Sequence, residues 1–308
     1  MNNNLYWSVY KNLEDEFLNL SNLIHINDEQ LEIYSIKISE LLIRTVVEVE
    51  SISKELYFAN GGAKADDKDL FFDTDCIDLL ENKWELSKKQ VLISSPNLYL
   101  EQNENTVLTP LKKANKRGTS SSDWLKAYQA VKHNRAKNLN KGNIKNLIRS
   151  LSGLYILNIY YKGLSYSLNK DGTGTNFDGR LGSELFSIRI HINQSISAET
   201  AFPKNNDFEE CVYILKPTDE TREIAQNSLK ILNEKINEKI NANLTSEIQK
   251  RLSGIQISNH DDVQGELKKA IDKIKSDYMI QVTKQNSSLL KTAFDGLRYE
   301  AVLNMNQY

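Results

Sequence analysis

The chain of 308 residues has only two cysteines, Cys76 and Cys211, far apart and without a Cys-x-x-Cys spacing. That excludes a cysteine-based zinc site and a disulfide framework, and leaves both as isolated small residues of core or surface. The four histidines are scattered, and none has a carboxylate pair at ligand spacing, so neither a metal nor a cofactor is expected. No apolar run approaches the length of a membrane span. The opening stretch MNNNLYWSVYKNLEDEF puts acids where a signal peptide needs an apolar core. The expected setting is the cytoplasm, with no membrane partner. A net charge of −2 excludes a bulk polycation, so any surface for an anionic partner must be local.

What is present is ordinary globular composition, with 40% hydrophobic, 8% aromatic and 26% charged residues, which argues against general disorder. The expected fold class is mainly α, with short β elements. Apolar residues at three- and four-residue steps predict a helix over 3–25 and a second over 28–58. Asp28 is the candidate cap of the second, and Asn60-Gly61-Gly62 is its stop. Short strands are expected within an insertion at about 86–120, broken at Pro96 and Pro110. Helices follow at 123–139 and 143–162, with Gly142 between them.

The Gly-rich stretch Lys170–Glu184 is expected to be a loop. It lacks the Gly-Lys-Ser/Thr ending of a phosphate cradle and the glutamate that closes a calcium loop. Beyond it, LFSIRIHINQSIS alternates, and CVYILK is its expected antiparallel partner in a small ribbon. From 218 onward the pattern is helical. Two narrow stripes run through 225–252 and 263–282, and a third holds Leu290, Ala293, Phe294, Leu297 and Ala301. They fit an antiparallel hairpin or a coiled coil with a partner chain. The expected organisation is therefore a bundle at 1–168, a loop and ribbon at 169–217, and a helical extension at 218–308.

Charge is segregated. Between Lys112 and Arg149 stand eleven basic residues and one acid, Asp123, leaving 28 basic against 40 acidic residues elsewhere, a net of −12. Such a surplus favours a polyanion, because phosphate contacts release counterions. It also fits a solvated face that pairs with acidic helices of the same fold.

His133 lies in this stretch. On the predicted helix Trp124, Tyr128 and Val131 share one side, and Lys126, Ala130, His133 and Lys137 another. Lys132 and Arg135 flank it, and nearby cations favour a neutral imidazole near pH 7. A neutral imidazole beside cations suits metal-free RNA cleavage, where one group takes the 2′-hydroxyl proton and positive groups stabilise charge on phosphorus. The plainer reading is a surface histidine. On the second helix Glu40, Arg44 and Glu48 are four apart, so Arg44 can pair with both carboxylates. It either forms an exposed ladder or reaches the helix that carries His133.

KISELLIRTVVEVESISKELY, then W-x3-Y-x3-KH-x-R, then NLIRSLSGLYILNIYY resembles the HEPN superfamily, in its bacterial abortive-infection-like branches, over residues 28–162. The resemblance implies a compact helical bundle and, in many members, a metal-independent endoribonuclease of toxin–antitoxin or anti-phage defence. The active site there commonly forms across a homodimer from two Arg-x4-6-His motifs. His133 matches the catalytic histidine of that pattern. No Arg precedes it by four to six residues; Lys126 stands upstream and Arg135 follows. The resemblance thus implies His133 as general acid or base, with Arg135 and Lys132 holding phosphate. Arg44 would support them, itself held by Glu40 and Glu48. RNA contacts are expected at Lys112, Lys113, Lys116, Arg117, Lys126 and Lys137. The alternative is a non-catalytic scaffold whose helices at 218–308 dock on a second copy or another protein.

Overall fold

The computed structural model describes residues 5–64, 69–193, 204–254 and 263–307. The fold is mainly α, with short strands, and divides into two compact units. One comprises Met1–Asn193, Phe202–Lys216 and Glu300–Tyr308, and the other is built on Pro217–Tyr299.

The first unit is a bundle of α1 (Leu5–Ser21), α2 (Ile36–Ala59), α5 (Asp123–His133) and α7 (Ile144–Lys162). Residues 3 and 4 of the predicted first helix lie outside the described residues. α7 is the central element. Fourteen of its residues are buried, from Ile144 to Tyr160, which is the signature of a helix enclosed on all sides rather than on one stripe. It packs against α1, α2 and α5. Gly142, just before it, lies where a Cβ would sit 2.5 Å from the Ser39 Cβ and 2.9 Å from its Cα, so only glycine lets this turn approach α2 so closely.

The helix predicted over 28–58 is broken in two. A 3-10 turn, Asp28–Glu32, is capped by Asn27, with Gln30 returning the bond to the cap backbone. α2 then starts afresh behind Ser35, whose hydroxyl accepts the Ile38 N–H. Two capping side chains eight residues apart each start a helix of their own. Asp28, the expected cap, instead accepts the Glu101 and Gln102 N–H groups and the Asn105 amide, tying the insertion down. The helix predicted over 123–139 also divides. α5 stops at Asn134 (φ −151°, ψ 74°), whose side chain caps the short α6 (Arg135–Asn138).

The insertion contains β2 (Val91–Ile93), β3 (Leu98–Tyr99), the single turn α4 (Asn103–Thr106) and β4 (Val107–Leu108). It follows a π-helical turn, Phe72–Ile77, and α3 (Asp78–Trp84). β3 pairs in parallel with β1 (Ile26–Asn27). The ribbon expected downstream does not form. Of its two halves, β6 (Phe186–Ile188) pairs antiparallel with β2. β7 (Ile190–Ile192) pairs with β8 (Tyr213–Pro217), but in parallel. Alternation reports which face is buried, not strand direction, and the long connection between β7 and β8 leaves room for the crossover a parallel pair needs. Residues 194–197 of the predicted ribbon lie outside the described residues. The four-stranded sheet has the order β5 (Tyr166–Asn169), β9 (Tyr299–Leu303), β8, β7. Of the stretch between 169 and 217, residues 169–193 and 204–216 belong to the first unit.

The link from α1 to the Gly-rich loop is a buried carboxylate. Glu14 accepts from Tyr10 OH at 2.8 Å, Ser183 Oγ at 2.5 Å, and the Glu184 and Leu185 N–H groups at 3.0 and 3.1 Å. Burial pushes its carboxyl up, yet the donors, Lys11 foremost, hold it below the ordinary glutamate range.

The second unit is an antiparallel hairpin of α8 (Asp219–Leu252) and α9 (Val263–Asp295). Lys239 Nζ donates to Asn286 Oδ1 at 3.1 Å and Arg251 Nη2 to Gln281 Oε1 at 2.9 Å. The third helical stripe of the sequence reading is not a separate helix. The side chains of Leu290, Ala293 and Phe294 lie outside the described residues, and Ala301 belongs to β9. Tyr299, Ala301 and Leu303 alternate there, with Ala301 and Leu303 buried.

Candidate functional site

α5 carries the candidate chemistry at both ends. Trp124, Leu125, Ala127, Tyr128 and Val131 are buried and fix its inner face. That leaves Lys126, Lys132 and His133 exposed. His133 is the last helical residue, and Asn134 breaks the helix after it, so the imidazole stands at an exposed helix end.

The cations around His133 are held unequally. Lys132 Nζ donates to Tyr128 OH at 3.0 Å and lies 5.1 Å from that ring's centre; the bond raises the lysine above its ordinary range. Arg135 faces Glu40 on α2 at 3.8 Å, both about half exposed. Lys137 is exposed and makes no ion pair among the described residues.

The predicted ladder of Glu40, Arg44 and Glu48 is not what forms. Arg44 Nη1 meets Glu16 Oε1 on α1 at 2.6 Å, and Lys37 binds the same carboxylate. A carboxylate lying across from α2 that takes two cations outcompetes pairs along one helix, each worth only a few tenths of a kcal/mol. Glu48 is half-buried, and burial pushes its carboxyl up. Arg44 is thus engaged on α1, and Glu40 is left to Arg135.

Of the expected RNA contacts, Arg117 is committed elsewhere. It binds both carboxylate oxygens of Asp73 at 2.8 Å and lies 3.6 Å from the Phe71 ring centre. Lys116 is exposed without an ion pair among the described residues. Lys112, Lys113 and Lys126 come together, with Arg149 of α7, around an open cleft of about 350 Å³ at the N-terminal end of α5. Of the eleven cations of the stretch, four pair with carboxylates: Arg117, Lys126, Arg135 and Lys145. Lys112, Lys113, Lys116, Lys137, Lys141 and Arg149 pair with none among the described residues. Sequence reasoning counted Arg149 without assigning it. Its signal was its place four residues after Lys145 on the helix most enclosed by the fold.

Another constellation has the residue types of a nucleophile but not its electrostatics. Asp207 lies 3.2 Å from His191 Nδ1 and 3.9 Å from Cys211 Sγ. Burial, then Asp207, pushes the Cys211 thiol up to about 12. An activated thiol is shifted the other way, so Cys211 is a core residue, as is Cys76.

Among the described residues no helix is long and apolar enough to cross a membrane. No three His, Cys, Asp or Glu side chains there gather as a metal-binding group. Neither a family model, a curated protein nor a solved structure matches the chain.

Proposed function

We propose that the chain is a HEPN-like, metal-independent endoribonuclease of bacterial toxin or anti-phage defence, acting in the cytoplasm. The observation that carries this reading is the uncompensated charge. Six of the eleven cations between Lys112 and Arg149 have no carboxylate partner among the described residues, and His133 is exposed within the same stretch of sequence. Cations that the fold leaves unpaired are available to phosphate.

In this reading His133 takes the proton of a ribose 2′-hydroxyl. The 2′-oxygen attacks the adjacent phosphorus, the bond to the 5′-oxygen breaks, and the departing oxygen collects a proton. The products are a 2′,3′-cyclic phosphate and a 5′-hydroxyl. Arg135 and Lys132 would offset the charge on the phosphoryl oxygens, with a second copy of the chain supplying the other half of the site. Arg44 meets Glu16 on α1 rather than Glu40 and Glu48, and would support the step from there.

The test is cleavage of a mixed RNA pool in EDTA by wild-type protein and His133→Ala. Cleavage by the wild type alone supports the reading. Equal cleavage by both, or by neither at high protein concentration, sinks it.

A second reading, a non-catalytic scaffold, is favoured by the hairpin. Ile224, Ile231, Met279 and Ile280 are each about half exposed on its surface. A defined oligomer that dissociates on Ile231→Glu and Ile280→Glu, without RNA cleavage, would favour it.

A further inference from the structure

The cleft at the start of α5 carries a second inference. Its walls are built from the insertion, from α5 and from α7. Lys112, Lys113, Lys126 and Arg149 supply four cations, against the carboxylates of Glu104 and Asp123. The Arg149 side chain is half-buried, yet makes no hydrogen bond or ion pair among the described residues, though its charge helps to hold the Asp123 carboxyl below the ordinary range. An unpaired guanidinium at that depth is poorly hydrated and favours a planar or tetrahedral oxyanion.

Ser122 lines the same cleft and is 8% exposed. It occupies the N-cap position of an eleven-residue helix but accepts no backbone N–H. Its buried Oγ has no hydrogen-bond partner among the described residues. Buried hydroxyls are ordinarily satisfied. A hydroxyl with no partner in the fold keeps its donor for a group in the cleft. Because Ser122 does not cap, no side-chain cap takes up the first N–H groups of α5. They add the partial positive charge of a helix start to that of the four cations.

The rest of the wall is apolar, with Val107, Leu108, Pro110 and Trp124. Its volume exceeds what a bare oxyanion needs and matches a small-ligand site.

From these features we infer that the cleft binds the phosphate of a nucleotide unit. Ser122 and Arg149 are its principal ligands, Lys112 and Lys113 close its mouth, and the apolar wall takes the sugar or base. Asp123, which pairs with Lys126 at 2.8 Å, is the carboxylate that the phosphate displaces. The inference deepens the RNA reading, since a strand reaching His133 would place another of its phosphates here. It does not require cleavage.

The test is titration of the full chain in EDTA, followed by tryptophan fluorescence and calorimetry. The probes are inorganic phosphate, AMP and a short single-stranded RNA. Ser122→Ala and Arg149→Gln should each weaken binding of AMP or RNA by about tenfold, the loss of one charge-assisted hydrogen bond. Asp123→Asn should tighten it. Ser122→Ala should leave the melting temperature unchanged, because the hydroxyl makes no intramolecular bond, so weaker binding cannot be ascribed to unfolding. Lys83→Gln, at an exposed position of α3, removes one charge elsewhere and should have no effect.

The inference is overturned if no probe binds, if Lys83→Gln weakens binding as much as Arg149→Gln, or if neither cleft variant changes it. The probes also identify the source of the phosphate. Binding of AMP but not RNA would uphold the cleft and sink the RNA reading. RNA that binds through Ser122 and Arg149 but is not cut would uphold the cleft and sink the nuclease. RNA that is cut by the wild type, with no response to the cleft variants, would do the reverse.

Discussion

The Trp124 indole N–H donates to the Pro110 carbonyl at 2.8 Å, a buried bond that joins the first turn of α5 to the insertion. It holds together two walls of the basic cleft. Trp124→Phe keeps the ring's apolar contacts and removes the donor, leaving the Pro110 oxygen buried and unsatisfied. The expected cost is about 1–3 kcal/mol, read as a lower urea midpoint with an unchanged m-value. Phosphate binding at the cleft should weaken as well. An unchanged midpoint would mean that water replaces the indole.

Glu14 should carry a measurable share of the acid sensitivity of the fold. The donors around it hold its folded pKa below that of a free glutamate. The stability it lends is fully present above the unfolded value, and is lost as pH falls through the folded one. Glu14→Gln puts an amide N–H₂ among groups that are themselves donors. It should cost roughly 2–4 kcal/mol at neutral pH and flatten the unfolding free energy against pH below about 4.3. Equal pH slopes in the two proteins would place the acid-sensitive group elsewhere.

Lys89 predicts a dependence of the same sign at high pH. It is 1% exposed, donates to the Glu209 carbonyl at 3.0 Å, and is pushed down to about 8 by burial. The unfolded chain keeps this proton up to the ordinary lysine value, so stability rises with pH between the two. The gain is at most about 3 kcal/mol. Above about pH 10 the buried tyrosines oppose it, since unfolding lets them ionise. Denaturant melts from pH 7.5 to 9.5 should therefore show a positive slope that Lys89→Met reduces. Lys162, also pushed down to about 8 by burial, leaves a residual slope in that variant.

How much of this was legible depends on the kind of interaction. α1, α2, α7, α8 and α9 are written in apolar spacing, because each buries a stripe or, for α7, its whole surface. The breaks at Ser35 and Asn134 are not, because one polar side chain that accepts a backbone N–H overrides a continuous stripe. β9 was absorbed into a helical pattern although Tyr299, Ala301 and Leu303 alternate; five residues are too few to separate the two periods. The partners of charged residues were the least legible. Arg44 had two carboxylates at helical spacing and took Glu16, which the sequence places twenty-eight positions away. Ser122 stands at the cap position of α5 without capping it, and nothing in its neighbours indicates that its hydroxyl stays unused.

The pairing of Arg135 with Glu40 separates a structural role from a functional one. At 3.8 Å, with the side chains 45% and 50% exposed, the pair is worth less than about 1 kcal/mol. Glu40→Gln should leave the unfolding free energy within about 0.5 kcal/mol of wild type. It should also free Arg135 and remove the negative charge that faces it. If RNA lies across that helix end, Glu40→Gln binds RNA more tightly, and the slope of log K against log salt steepens by up to about one unit as Arg135 engages a phosphate. Arg135→Gln should move affinity and slope the other way. If Glu40→Gln and Arg135→Gln both leave RNA affinity unchanged, the strand does not pass this end of α5, and His133 loses its assignment even if RNA binds elsewhere on the bundle.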